Sequence, residues 1–163
     1  MCAHNRLRAF RSTATTAPEL VGQTITPSAE SSGHPAGVPY TVTLNRGQTY
    51  QLIHSRDGGD LSGTVVTSTH PVGVFGGHAL AFIPNEHRAG DHLVEQLLPT
   101  QAWGRQFFTA PLATRQNGDT FRVIASEDGT VVSVGGAVVA TLDRGEVHEQ
   151  VITGATEIVA SQA

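Results

Sequence analysis

Tyr40-Thr-Val-Thr-Leu-Asn-Arg-Gly-Gln-Thr-Tyr-Gln-Leu52 carries the pattern from which the fold class follows. In its first half, large apolar residues alternate with threonine, the period of a half-buried strand. Asn45-Arg46-Gly47 interrupts, and the alternation resumes at Thr49-Tyr50-Gln51-Leu52. A polar residue, any residue and then glycine between two strands suits a three-residue hairpin loop, with Gly47 in the left-handed conformation that glycine alone adopts without a Cβ penalty.

Outward from this stretch the same signal returns at short intervals. Gly63-Thr-Val-Val-Thr-Ser68 and Val72-Gly-Val-Phe75 read as strands, with Pro71 at the entrance of the second, where no ladder donor is needed. Further on, Thr120 to Ala125, Thr130 to Val134, Val138 to Leu142, Val147 to Ile152 and Thr156 to Ala160 read likewise. They are separated by the turn chemistry of Ser126-Glu127-Asp128-Gly129, Gly135-Gly136 and Asp143-Arg144-Gly145. This spacing predicts an all-β, antiparallel, sandwich-like fold built from repeated hairpin or meander units. Asp91 to Leu98 fits two structures: a short helix ended by Pro99, or a strand with Leu93, Glu95 and Leu97 on one face.

The chain also repeats itself. Thr43-Leu-Asn-Arg-Gly-Gln48 matches Thr141-Leu-Asp-Arg-Gly-Glu146, and Gly63 to Ser68 resembles Thr156 to Ser161. Leu7-Arg8 and Gln23 to Pro27 are weaker counterparts of Phe121-Arg122 and Val131 to Val134. These matches divide the chain into residues 1–39, an N-terminal part of the first repeat, then 40–118, its core, and 119–163, a second repeat. The second copy reaches Ser161 where the first continues into Pro71-Val72. A second unit cut short there is expected to lack a strand and to show an open sheet edge. Gly47 and Gly145 are expected to have matching positive φ. The Ser/Gly/Pro-rich stretch Pro27 to Pro39 reads as a surface loop.

Composition narrows the function. Hydrophobic content of 39% and charge of 15% over 163 residues suit a globular chain that folds without a metal or disulfide. The net charge of -4 and the dispersed arginines disfavour nucleic acid. No apolar run reaches the length of a membrane span, and the N-terminus lacks the apolar centre of a signal peptide. Any export signal would then lie upstream. Cys2 is the single cysteine and cannot pair within the chain.

Chemistry has few candidates. His78, His87, Asp91, His92 and Glu95 are of types that bind zinc, but their spacing matches no ligand motif, so backbone-bonded structural histidines are expected instead. No Gly-x-Ser-x-Gly elbow occurs, and Cys2 sits too near the terminus to serve as a nucleophile. Gly76-Gly77 precedes His78 rather than a helix, so it is no phosphate loop. Arg56-Asp-Gly-Gly-Asp60 lacks the oxygens of a calcium loop. Trp103 reads as a core anchor beside Phe107 and Phe108, with a sugar-stacking platform as the alternative. No cofactor and no catalytic residue are expected.

Asp60 to Thr64, Pro71-Val-Gly-Val-Phe-Gly-Gly-His78, Asp91-His-Leu-Val-Glu-Gln-Leu97, Trp103-Gly104 and Phe121 to Thr130 together resemble the N-terminal domain family of the IgG-Fc-binding protein. The resemblance covers roughly residues 40–161, at ordinary single-domain length. It marks Gly77, His78, Asp91, His92, Glu95, Gln96, Trp103 and Gly104 as signature residues of unassigned role. It implies a secreted or cell-surface protein of repeated β-modules, without catalysis, as part of a longer chain. The expected partner is a protein or glycoprotein, an immunoglobulin or a mucin-like polymer, with no nucleic acid and no membrane insertion. The alternatives are a structural spacer in a large adhesin and a metal-dependent hydrolase using the His78–Glu95 region. Family members often carry cysteines where this chain has Leu80 and Gly90, so the resemblance also implies that these two positions are neighbours.

Overall fold

A computed structural model describes the backbone of residues 5–12 and 21 and the full structure of residues 22–56, 59–82 and 89–162. The chain forms two compact units, Met1–Leu97 and Leu98–Ala163. Among the described residues their regular structure is antiparallel β, apart from one 3-10 turn at Thr100–Ala102. The fold class predicted from the period-2 pattern is the one observed.

The first unit contains β1 (Asn5–Ser12), β2 (Val21–Thr26), β3 (Tyr40–Leu44), β4 (Tyr50–Ile53), β5 (Val65–Ser68), β6 (Val72–Ala81) and β7 (Asp91–Leu97). They form two sheets, in the orders β4-β1-β6-β7 and β3-β2-β5. Ile25, Leu44, Leu52 and Leu61 are buried, and Val42, Tyr50, Val66, Val72 and Val74 pack around them. These side chains come from both sheets, so the core is the seam between two layers. Tyr40 and Tyr50 close one part of it, their hydroxyls 3.1 Å apart and His34 stacked on the Tyr40 ring at 3.5 Å. Burial, reinforced by the bond to Tyr50, pushes the Tyr40 phenol far above its ordinary range, so it stays a neutral hydroxyl.

The second unit contains β8 (Gln106–Thr109), β9 (Asp119–Ile124), β10 (Thr130–Val134), β11 (Ala137–Leu142), β12 (Val147–Ile152) and β13 (Thr156–Ala160). Its sheets run β11-β10-β13-β8 and β12-β9. Ala125, Val132, Leu142, Ile152 and Ile158 are buried between them, with Phe121 and Val123 packed against the cluster. Gly135 and Gly136, at φ 57° and 85°, join the paired Val134 and Ala137 in a two-residue hairpin.

The strands β1–β5 and β9–β13 follow one pairing scheme. β4-β1 faces β3-β2-β5 in the first unit, and β12-β9 faces β11-β10-β13 in the second. The shared turn is equally matched. Gln48 N–H donates to the Asn45 carbonyl at 3.0 Å, and Gln48 Oε1 accepts the Asn45 N–H at 2.8 Å. Glu146 N–H donates to the Asp143 carbonyl at 2.9 Å, and Glu146 Oε2 accepts the Asp143 N–H at 2.8 Å. Gly47 and Gly145 have φ 82° and 84°, the matched left-handed geometry expected of them.

The hairpin reading of these turns needs correction. β3 pairs with β2 while β4 pairs with β1, and β11 pairs with β10 while β12 pairs with β9. Each turn therefore carries the chain from one layer to the facing one. Turn residues encode a reversal of direction; they do not encode which neighbour each flanking strand chooses. The second sequence match is one residue out of register: Ser68 lies opposite Gln23, and Ala160, not Ser161, lies opposite Val132.

Of the two structures open to Asp91 to Leu98, the strand is the one observed, over Asp91–Leu97. Pro27 to Pro39 is the surface loop expected, exposed at most of its positions, with Pro27 and Ser31 fully buried in it and Ser32 N–H bonded to the Ile53 carbonyl at 2.9 Å. Phe107 and Phe108 are 47% and 74% exposed, so neither is a core residue. Trp103 is half-buried beyond the core cluster, its Nε1–H donating to the Leu98 carbonyl at 3.2 Å.

The matched turns make matched predictions. Gly47→Ala and Gly145→Ala should each cost roughly 1–2 kcal/mol, the penalty of a left-handed L-residue. At Gly47 that loss is backbone strain alone, because no atom lies within 4 Å of an added Cβ. Gln48→Ala and Glu146→Ala should each cost about 0.5–1.5 kcal/mol through the lost side-chain bond. Urea unfolding of the four variants checks both pairs, and a turn that tolerates its alanine would break the equivalence.

Candidate protein-binding surface

Six signature residues come together because β6 and β7 are neighbours. The register sets Phe75 opposite Gln96, Gly76 opposite Glu95, Gly77 opposite Val94 and His78 opposite Leu93, with Ala81 opposite Asp91. Trp103 and Gly104 belong to the other unit, on the segment leading into β8.

The pleat sorts these side chains onto two faces. Val74 packs into the core, so Val74, Gly76 and His78 with Leu93, Glu95 and Leu97 lie on the layer-facing side. Phe75, Gly77 and Ala79 with His92, Val94 and Gln96 lie on the outer side. Every residue of β7 is nonetheless exposed. The sheet β3-β2-β5 is a strand narrower than β4-β1-β6-β7, and β7 is the outermost strand of the wider one. Leu93, Val94 and Leu97 are 50%, 67% and 44% exposed. An edge strand with open backbone groups and apolar side chains on both faces is a template for another chain.

On the outer side, the missing side chain of Gly77 leaves a shallow concavity of about 240 Å³, walled by Phe75, Ala79, His92 and Val94. That is smaller than the few hundred Å³ typical of small-molecule sites. It suits one protruding side chain better than an enclosed substrate.

The histidines behave as structural groups. His78 Nδ1 accepts the Leu80 N–H at 3.2 Å, at the irregularity where the ladder shifts between His78 and Ala81. Asp91 Oδ1 accepts the His92 N–H at 2.8 Å and meets the His92 ring at 3.2 Å. The backbone bond from His92, then its ring, holds the Asp91 carboxyl below its ordinary range. His92 therefore bonds a neighbouring carboxylate through its ring, where a backbone partner was expected. Both side chains are largely exposed, at 75% and 90%, so the pair contributes little to stability. His78 and Glu95 share one face while His92 points to the other. Among the described residues no group of three or more His, Cys, Asp or Glu could hold a metal. Cys2, Asp57 and His87 lie outside the described residues.

Leu80 and Gly90 are in contact. A Cβ built on Gly90 would stand 3.0 Å from Leu80 Cδ1, 2.9 Å from Phe82 Cε1 and 3.0 Å from the Ala81 carbonyl oxygen. Leucine at one position thus depends on glycine at the other. Sequence reasoning missed the outer-face apolar residues Phe75 and Val94. The available signal was the adjacent pair Leu93-Val94, which in a strand must put one apolar side chain on each face.

A family model described as IgGFc binding protein matches residues 17–163. A human protein named IgGFc-binding protein is 40% identical over 94 residues, covering 58% of this chain. The match takes up 2% of that relative's length. No solved structure matches the chain.

The Leu80–Gly90 contact supplies a test of the alignment. Leu80→Cys with Gly90→Cys, in a Cys2→Ser background, should oxidise in air and add roughly 2–3 kcal/mol by closing a short loop, less the cost of moving Phe82. Gly90→Cys alone should destabilise, because Leu80 Cδ1 then crowds the new Cβ. Thiol titration and urea unfolding read both outcomes; a double variant that stays reduced would refute the pairing of these positions.

Proposed function

The chain belongs to the IgGFc binding protein family, and from that premise we propose that it is a non-enzymatic recognition module for an extracellular protein or glycoprotein. The observation that carries the reading is β7: a strand exposed along its whole length at a sheet edge, with Leu93, Val94 and Leu97 uncovered. A partner pairing with its backbone would gain ladder hydrogen bonds, and the Gly77 concavity would choose among its side chains. Gly77, His78, Asp91, His92, Glu95 and Gln96 are the recognition surface in this reading. His78 holds the ladder irregularity, Gly77 opens the concavity, and His92 of β7 forms part of its wall. Trp103 and Gly104 belong to the second unit and take no part in recognition at β7 in this reading.

The human relative's name supplies the first ligand to try, the Fc part of immunoglobulin G. A mucin-type glycoprotein is the second. The secreted or cell-surface setting belongs to the same proposal; no helix among the described residues is long and apolar enough to cross a membrane.

One observation favours a second reading. The repeated pairing scheme of β1–β5 and β9–β13 is what a spacer of stacked β-modules in a multi-repeat protein would show. Surface plasmon resonance against both ligands separates the two. A recognition module binds at least one, and Val94→Glu lowers that affinity by at least about tenfold while leaving thermal unfolding unchanged, as for an exposed hot-spot residue. Binding that Val94→Glu leaves intact would move recognition away from β7, and binding to neither ligand would favour the spacer.

A further inference from the structure

An asparagine or aspartate stands directly before glycine at three places: Asp57-Gly58, Asn117-Gly118 and Asp128-Gly129. In such a pair the side-chain carbonyl carbon and the next backbone nitrogen can close a five-membered ring, an intramolecular attack with a large proximity advantage. Glycine adds no side chain to shield that nitrogen. Asp57 and Gly58 lie outside the described residues. The structure treats the other two pairs differently.

Asp128-Gly129 is exposed, yet both of its reacting groups are engaged. Gly129 N–H donates to Asp143 Oδ1 at 3.0 Å, and Asp128 Oδ1 accepts the Arg144 N–H at 2.9 Å. Ring closure there would have to give up both charge-assisted bonds. Asn117-Gly118 carries no such restraint. Residues 112–117 form a loop exposed at every position. Among the described residues, neither the Asn117 side chain nor the Gly118 N–H has a hydrogen-bond partner. The flanks are fixed instead: Arg115 N–H bonds the Leu112 carbonyl at 2.9 Å, and the Arg115 guanidinium meets the Asp119 carboxylate at 2.8 Å. These contacts bracket the dipeptide and leave it free to react.

We propose that Asn117-Gly118 is a self-modification site, at which Asn117 loses its amide as ammonia and becomes an aspartyl or isoaspartyl residue. The Gly118 nitrogen gives its proton to solvent base and attacks Asn117 Cγ. The new bond joins Gly118 N to Cγ, the Cγ–Nδ2 bond breaks, and Nδ2 takes up a proton and leaves as ammonia. One water then opens the cyclic imide. Attack at Cγ restores the ordinary backbone and leaves aspartate. Attack at the Asn117 backbone carbonyl carbon leaves the chain running through Cγ, which is isoaspartate. Water is the sole co-reactant, and nothing is oxidised or reduced.

The product matters to β9 because Gly118 lies close against β12. A Cβ built on Gly118 would stand 2.7 Å from the Ile152 carbonyl oxygen, and the next residue, Asp119, is the first rung of β9, opposite Ile152. Isoaspartate inserts one extra main-chain carbon immediately before that rung, so the β9–β12 ladder loosens from its Asp119 end. Both products add one negative charge two residues from Asp119. The site is independent of recognition at β7, because it lies in the other unit.

The test incubates the full chain in neutral buffer made with heavy-oxygen water, folded and in urea, beside a synthetic peptide of residues 112–122. Tryptic digestion in ordinary water releases residues 116–122 and 123–144, and mass spectrometry locates the heavy oxygen that ring opening leaves behind. In the folded chain residue 117 should take up label within about threefold of the free-peptide rate, while Asp128 should label at least about tenfold more slowly folded than in urea. Asn117→Ser, at an exposed position, should fold normally and leave residues 116–122 unlabelled. An L-isoaspartate-specific carboxyl methyltransferase should methylate residues 116–122 of the aged wild-type chain and not of the aged variant. Asn117→Asp carries the charge without the extra carbon, so the isoaspartyl fraction should unfold at lower urea than this variant. Labelling at residue 117 below about a tenth of the free-peptide rate would overturn the proposal. Equal folded and unfolded rates at Asp128 would overturn the contrast between the two pairs, and equal urea midpoints would overturn the consequence for β9.

Discussion

Crossing from one layer to the other in the space of a single tight turn is the constraint on which the structure depends. Asn45–Gln48 and Asp143–Glu146 achieve it with the same devices: a glycine at φ 82° or 84°, and a side chain three residues on that returns to the first backbone N–H. A strand that stayed in its own sheet at that point would build a meander with one apolar face uncovered. Because the chain changes layer, Leu44 and Tyr50 come to share a core from opposite sheets, and Leu142 and Ile152 do so in the second unit. The turn is local in its bonding and global in its consequence.

Once the layers are set, their unequal widths generate the surfaces of interest. β7 overhangs a narrower facing sheet, so its inward leucines gain no cover and its outward valine gains none either. β8 is likewise at the edge of a wider sheet, and Phe107 is left in the open for the same reason. Natural sheets commonly blunt such edges with charge or proline. Here β7 carries Asp91 and Glu95 among its apolar residues, which suits an edge kept soluble and still available for pairing.

Much of this was legible in the sequence, for a physical reason. Half-buried strands such as β3 and β10 write their burial as alternation, and Gly47 and Gly145 announce turns that no other residue fills comfortably. The failures have reasons too. β7 is exposed on both faces, so no burial pattern distinguished strand from helix at Asp91 to Leu97. Phe107 and Phe108 looked like core because aromatics usually bury; Phe108 lies on the outer face opposite Glu157, and Phe107 faces inward beyond the narrower facing sheet, both non-local properties. Pro27 to Pro39 has the composition of the surface loop it is; what its composition did not show are the bonds of Ser32 N–H to the Ile53 carbonyl and of Ser28 N–H to Thr64 Oγ1, residues far off in sequence. The signature at Gly77–His78 and Asp91–Gln96 was visible as two motifs, and only the β6–β7 register made them one surface.

The central claim is that β7 is an edge available to a partner. Amide hydrogen exchange on the unliganded full chain tests it most directly. Central strands β2, β6 and β10 should exchange slowest in their sheets, while alternate amides of β7, those not bonded to β6, should exchange nearly as fast as an open chain. Slow exchange at every β7 amide would mean that the edge is already covered, and it would contradict the account.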